Sequence, residues 1–126
     1  MKWHFNSDMP IYTQLISQIK FAIVSGELPP GERMSTVRDL ASEAGVNPNT
    51  MQRAFQELER EGLVFSQRSS GRFVTENVSI IEKAKMALAQ EHISKFISSM
   101  ERLGYDRAKI IALLEGKNEE DNNGGI

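Results

Sequence analysis

Cysteine is absent from this chain, which removes disulfides and thiolate metal sites together. The two histidines, His4 and His92, lie far apart, and neither stands at ligand spacing from another donor, so no metal and no cofactor is expected. Long apolar runs are missing as well. None approaches the roughly 18 residues a membrane helix needs, and the opening MKWHFNSDMP lacks the apolar stretch of a secretory signal. The expectation is a cytoplasmic protein with no membrane partner. Catalytic groupings are equally scarce: Ser7, Asp8 and His4 are close only in sequence, no nucleophile is paired with a base, and no glycine-rich phosphate loop follows a strand. An enzyme is not expected. Charge of one sign is also lacking. A net charge of −2 argues at first against nucleic acid, whose binders carry a basic footprint. The acids are segregated, however. The last ten residues, KNEEDNNGGI, hold one lysine against Glu119, Glu120 and Asp121, and the preceding 116 residues balance at fourteen bases and fourteen acids. Where the bases point therefore matters more than their sum.

What is present is an ordinary globular mixture, 40% hydrophobic and 25% charged, in 126 residues, enough for one compact domain and an appendage. In PIYTQLISQIKFAIVSGEL, Tyr12, Leu15, Ile16, Ile19, Ala22 and Ile23 share a helical face, with Pro10 in the first turn and Gly26 after the last. LPPGER turns the chain, and Arg33 and Met34 can form a very short strand. Thr36 then caps a second helix, with Val37, Leu40, Ala41 and Ala44 inward and Gly45 as its stop.

Only Val46 separates Gly45 from the next cap, Asn47, which Pro48 follows at the first helical position. Helices joined so tightly cross steeply, as in a helix-turn-helix whose second helix enters a DNA major groove. In that second helix Met51, Ala54, Phe55 and Leu58 fall on one stripe, leaving Asn49, Gln52, Arg53, Gln56 and Arg60 outside. Arginine grips guanine and the amides pair with adenine, while Thr50 and the first-turn N–H groups suit phosphate. The other reading is a solvated face laced with local salt bridges, which is how Glu57, Glu59 and Glu61 at the rear are read. LVFSQ and RFVTE make a hairpin around RSSG with Gly71 at the turn; Arg68 and Arg72 flank its tip and are expected to contact a DNA backbone or minor groove, and Arg38 sits in the first turn of the preceding helix at the groove edge. The fold class is mainly α with a small β wing: a winged helix-turn-helix followed by two helices.

From Val78 a helix returns, with Ile81, Ala84, Leu88, Ala89, Ile93, Phe96, Ile97, Met100 and Leu103 broadly on one face up to Gly104, roughly 37 Å in all. A shorter helix begins at Asp106 with Ala108, Ile111 and Leu114 inward and Gly116 as its stop. The long helix has more apolar surface than its companion covers. A second copy of the chain is therefore expected, meeting Ile81, Leu88, Ile93, Phe96, Ile97, Met100 and Leu103. The resulting division is 8–76 for the winged helix, 77–116 for the dimerisation segment and 117–126 for a polar, disordered tail.

From Pro10 to Val74 the chain resembles the winged-helix domain of the GntR family of bacterial transcription regulators. SGELPPGER, VRDLA, GVNPNT and LEREGLV stand in that family's order and spacing. The remaining residues are too few for a large effector domain and look like the two-helix tail of its YtrA-like group. The resemblance implies DNA contacts from Arg38, from Asn47, Pro48, Asn49 and Thr50, and from Gln52 and Arg53, with the wing contributing around Gly71. It implies dimerisation through the tail, and control of transporter operons. Two departures stand out: Met34, Ser35 and Thr36 replace a common Leu-Pro-Ser, and Ser69, Ser70 and Arg72 alter the usual wing.

Together these readings make the chain a homodimeric repressor on a palindromic double-stranded operator, with an unidentified small-molecule effector left open as a further partner. The competing class is a winged helix used only for protein interaction, since fold alone does not fix function.

Overall fold

The computed structural model describes residues 1–117; the tail expected over 117–126 lies, beyond Lys117, outside the described residues. Two compact units are present, Met1–Met86 and Ala87–Ile126. Among the described residues the elements are α1 (Ile11–Val24), α2 (Val37–Ala44), α3 (Pro48–Arg60), β1 (Val64–Gln67), β2 (Gly71–Val74), α4 (Val78–Arg102) and α5 (Arg107–Leu114). No helix among the described residues is long and apolar enough to cross a membrane.

In the first unit α3 packs against α1, α2 and β1. Its apolar stripe, Met51, Ala54, Phe55 and Leu58, is wholly buried, as the spacing predicts, and meets Leu15, Ile19 and Ile23 of α1 and Leu40 and Ala41 of α2. Each fully buried side chain of this size contributes about 1.5–3 kcal/mol relative to exposure, so the stripe rather than helix propensity fixes α3. Local chemistry sets the boundaries. Thr36 accepts from the Asp39 N–H at 3.1 Å and Asn47 from the Asn49 N–H at 2.7 Å. Between these helices Gly45 takes φ 72°, a left-handed value that favours glycine, and lets the Val46 N–H close back on the Ala41 carbonyl at 2.9 Å.

The wing is antiparallel, with Val64 opposite Val74, Phe65 opposite Phe73, Ser66 opposite Arg72 and Gln67 opposite Gly71. The short strand expected at Arg33 appears as a single bridge to Phe73. Its neighbours add backbone bonds, from Met34 N–H to the Arg72 carbonyl and from Val74 N–H to the Glu32 carbonyl, at 2.8 and 2.9 Å. Gly71 opens β2 rather than occupying the tip; the left-handed residue inside the tip is Ser69, at φ 68°.

The first unit exceeds the expected span of 8–76 at both ends. Two glutamines one turn apart on α1 act as a substitute strand for the residues before it. Gln18 accepts from the His4 N–H at 3.1 Å and donates to the His4 carbonyl at 2.7 Å, and Gln14 does the same for Asn6 at 3.0 and 2.9 Å. These bonds lay Trp3 and Phe5, stacked on each other, against the core. At the other end Ile81 is buried in the core, with Ile80 and Ala84 packed beside it. Ile81 was expected at the dimer interface; within the chain it is a core residue, 8% exposed.

In the second unit α4 ends at a left-handed Gly104, and Asp106 caps α5 by accepting from the Lys109 N–H at 2.9 Å. The inward side of α5 differs from expectation. Ile110 is the buried residue, whereas Ala108, Ile111 and Leu114 are exposed. With five apolar residues in succession over IIALL, the spacing does not select one face.

Candidate nucleic-acid interface

The geometry divides α3 in two. At its rear all three acids are paired, two of them to other elements. Glu57 holds Arg60 through two hydrogen bonds of 2.7 and 2.9 Å within the helix, Glu59 takes the Arg72 Nε at 2.6 Å from the wing, and Glu61 takes the Lys20 Nζ at 2.8 Å from α1. The reading of these carboxylates as plain surface charges is therefore replaced: two of the three fasten α3 to other elements. Glu57 in turn raises the Arg60 pKa by hydrogen bonding and charge.

The front half is left open. Asn47, Pro48, Asn49 and Arg53 are exposed, and Thr50 and Gln52 are half-buried. None of these residues carries an ion pair among the described residues, and apart from the Asn47 oxygen, which caps the helix, their side chains can face a ligand. Arg53 is the exception to complete freedom, because its guanidinium lies over the Tyr12 ring at 4.7 Å from the centroid. Such a contact narrows the range of a long side chain while leaving its N–H groups unused. Tyr12 reads in the sequence only as an apolar-face residue; its second role needs the α1–α3 packing to be seen. The first-turn amides, expected to suit phosphate, are engaged internally instead: the Asn49 N–H by its cap and the Thr50 N–H by the Asn47 carbonyl at 3.0 Å. The Thr50 hydroxyl and the Asn side chains are what that turn has to offer.

Arg38 is exposed in the first turn of α2 and unpaired among the described residues. The wing splits its arginines. Arg68 is exposed at the tip, in the position foreseen. Arg72 points back into the molecule, bonded to Glu59 and stacked over Phe55 at 5.4 Å, so it is not the exposed cation that sequence reading assigns to it. An arginine missed in the sequence takes the outer position. Arg33 is exposed, and its guanidinium runs beside Gly71, where a Cβ would stand 3.3 Å from Nε. That close approach, together with φ 103°, explains the glycine. The signal for Arg33 was its place in the short strand, whose pairing with β2 carries it alongside the wing.

Of the expected dimer residues, Ile93, Phe96 and Leu103 are exposed and Leu88, Ile97 and Met100 half-buried within the chain. Exposed apolar side chains also occur on α5, at Ile111, Leu113 and Leu114. No group of acids or histidines among the described residues is arranged to hold a metal ion.

The model of bacterial regulatory proteins of the gntR family matches residues 11–74. The HTH-type transcriptional repressor YtrA of Bacillus subtilis is 34% identical over 82% of this chain and 81% of its own length. A GntR family transcriptional regulator from Listeria monocytogenes superposes with a TM-score of 0.81 at 37% identity, over 89% of this chain and 98% of that one. AraR(DBD), solved in complex with operator ORX1, gives a TM-score of 0.54 at 26% identity over 60% of this chain and 96% of that one. From the helix-turn-helix, the wing and the two-helix tail, matched along almost the whole described length, the chain belongs to the GntR family of bacterial transcription regulators, in its YtrA-like group.

Proposed function

We propose that this DNA-binding regulator is a homodimeric cytoplasmic repressor that reads a palindromic operator, and that a transporter operon is its target. The division of α3 carries the DNA-binding part of the reading: a rear half fastened by ion pairs holds still a front half on which Asn49 and Gln52 are unpaired and Arg53, steered by the Tyr12 ring, keeps its N–H groups unused. Preorganised donors of this kind lose little freedom on meeting base edges. Arg38 and Thr50 serve the phosphates flanking the groove, with Asn47 and Pro48 setting the approach of the helix. The wing contributes Arg68 and, beside Gly71, Arg33. That the similar AraR(DBD) was solved in complex with an operator supports the DNA-binding part of the reading.

The repressor assignment follows the named activity of YtrA, and the transporter target follows the family resemblance. Dimerisation rests on exposed Ile93, Phe96 and Leu103 with half-buried Leu88, Ile97 and Met100, a set that water covers poorly. Two-fold symmetry then puts two copies of α3 on successive turns of one DNA face, with half-sites about 10 bp apart or a multiple of that. Selection of bound sequences from a random duplex pool tests the whole reading. A two-fold consensus, found again upstream of transporter genes, is the expected result; tight binding of a single asymmetric site by a monomer contradicts it. Arg38→Ala should abolish specific binding with the fold intact, because trimming an exposed side chain leaves no void. Unaltered affinity at moderate salt removes Arg38 from the interface.

A further inference from the structure

The two faces of the wing differ in chemistry. Ser66 stands opposite Arg72 in the register, so both side chains leave the same face of the hairpin. That face meets Glu59 of α3. One carboxylate oxygen, Oε1, accepts from the Arg72 Nε at 2.6 Å and from the Ser66 hydroxyl at 2.5 Å. The same guanidinium covers the ring of Phe55, itself sealed in the core. Burial pushes the Glu59 carboxyl up, but the bonds from Arg72 and Ser66 and the Arg72 charge together outweigh it and hold the group below its ordinary value. Arg33 and Arg68, by contrast, are exposed and unpaired among the described residues.

A two-stranded hairpin is marginal in isolation, and the tip from Arg68 to Ser70 has no core beneath it. The bonds to Glu32, Arg33 and Met34 hold the β2 strand on its other edge, and the hairpin's direction relative to α3 is set by what joins the two directly. The shared Glu59 oxygen does this from both strands, since Ser66 belongs to β1 and Arg72 to β2.

We infer that Arg72 is a positioning residue and not a phosphate contact: with Ser66 it clamps the wing to Glu59 and so fixes the distance between the wing's DNA contacts and those of α3. The inference rests on the DNA-binding reading above. A clamp set before DNA arrives spares the complex the cost of ordering the wing, and the wing's contacts then act as a second site linked at high effective concentration.

Salt dependence separates the two roles. A residue that neutralises a phosphate releases counterion, so its removal lowers the slope of log affinity against log salt by about 0.9. Binding of the full-length protein to its selected operator is to be measured from low to moderate salt. Arg68→Ala should lower the slope. Arg72→Met should weaken binding about tenfold with the slope unchanged, as expected when one of two linked contacts loses its placement. Hydroxyl-radical protection should vanish under the wing and persist under α3. Glu59→Gln gives the sharper sign. Removing an acid near DNA strengthens binding if charge alone matters, whereas loss of the clamp weakens it and erases the wing footprint. Glu59→Arg combined with Arg72→Glu should restore that footprint. A slope for Arg72→Met that falls as it does for Arg68→Ala, or tighter binding by Glu59→Gln with the footprint intact, overturns the inference. Should Arg72→Met fail to fold, Glu59→Gln and the exchanged pair still decide. If the wild type selects no DNA, the functional reading fails separately. The clamp is then read from backbone order parameters of Arg68, Ser69 and Ser70, which should fall in Glu59→Gln; unchanged values reject it.

Discussion

The two compact units differ in what they do with apolar side chains. In Met1–Met86 a closed core forms around Phe55, Leu15, Ile19, Met51 and Leu58, which show no exposed surface at all. In the unit from Ala87 onward only Ile110 is buried among the described residues, while Phe96 keeps 41% of its surface exposed and Leu103 72%. Both units contain helices started by the same capping chemistry, so the helices themselves do not distinguish them. Burial does. A helix draws most of its stability from a packed face, and α3 has that face within its own chain, whereas the second half of α4 presents one still to be covered. The first unit is built to fold, and the second, in the proposed reading, to associate.

The largest expected effect breaks the first side of that comparison. Phe55→Ala should destabilise the winged-helix unit by about 3–5 kcal/mol, through lost burial and the cavity left behind. It also removes the ring beneath Arg72. Chemical denaturation at fixed protein concentration measures the shift; a loss below about 1 kcal/mol means the site collapses far more readily than close packing allows. The counterpart in the tail is Phe96→Glu with Ile97→Glu. This pair should leave the melting of the winged-helix unit unchanged, convert the dimer to monomer in sedimentation, and weaken full-operator binding about a hundredfold, because the second half-site is then no longer linked to the first. Retained dimers with full affinity place the interface elsewhere.

A third effect, smaller again, concerns the open front of α3. Arg53→Ala or Gln52→Ala should cost about 1–3 kcal/mol for each good base contact and change which bases are preferred at one position of each half-site. Uniform weakening across all sequence variants identifies them as phosphate contacts instead. Tyr12→Leu should loosen the Arg53 guanidinium and give a milder version of the same relaxation, which a cycle with Arg53→Ala isolates.

The sequence reading did best where one stripe of residues decides one element. Met51, Ala54, Phe55 and Leu58 had to be buried, Thr36 and Asn47 had to cap, and Gly45 had to turn the chain; those features made the helix-turn-helix legible. It did less well where partners come from elsewhere in the chain. Strand alternation implies that Ser66 and Arg72 share a face, but which face meets α3 depends on how the hairpin packs, and Arg72 consequently looked like a DNA contact. Glu57, Glu59 and Glu61 looked alike because periodicity records the side of a helix and not its partner. In α4 the error was one of drift. At 100° per residue, Ile81 and Ile93 lie about a third of a turn apart, so the residues taken as one stripe face in different directions. Ile81 could then join the core while Ile93 and Phe96 stayed exposed.

The smallest effect sharpens the comparison most, because it uses one perturbation in both units. Thr36 caps α2 by accepting from the Asp39 N–H at 3.1 Å, and Asp106 caps α5 by accepting from the Lys109 N–H at 2.9 Å. Replacing either residue with alanine removes one such bond and costs its helix about 1 kcal/mol. In α2 that helix is part of a closed core through Leu40 and Ala41, so Thr36→Ala should lower the denaturation midpoint by the same amount at every protein concentration. In α5, Ile111, Leu113 and Leu114 remain exposed within the chain, so the cap should report on stability only through the assembled dimer. Asp106→Ala should therefore act by shifting the monomer–dimer equilibrium, with a midpoint that depends on concentration as a coupled association requires. Denaturation curves for both variants over a hundredfold range of protein concentration make the test. A concentration-independent shift for Asp106→Ala, equal to that of Thr36→Ala, means the tail is a self-sufficient fold and the exposed residues of α4 and α5 are not waiting for a second chain.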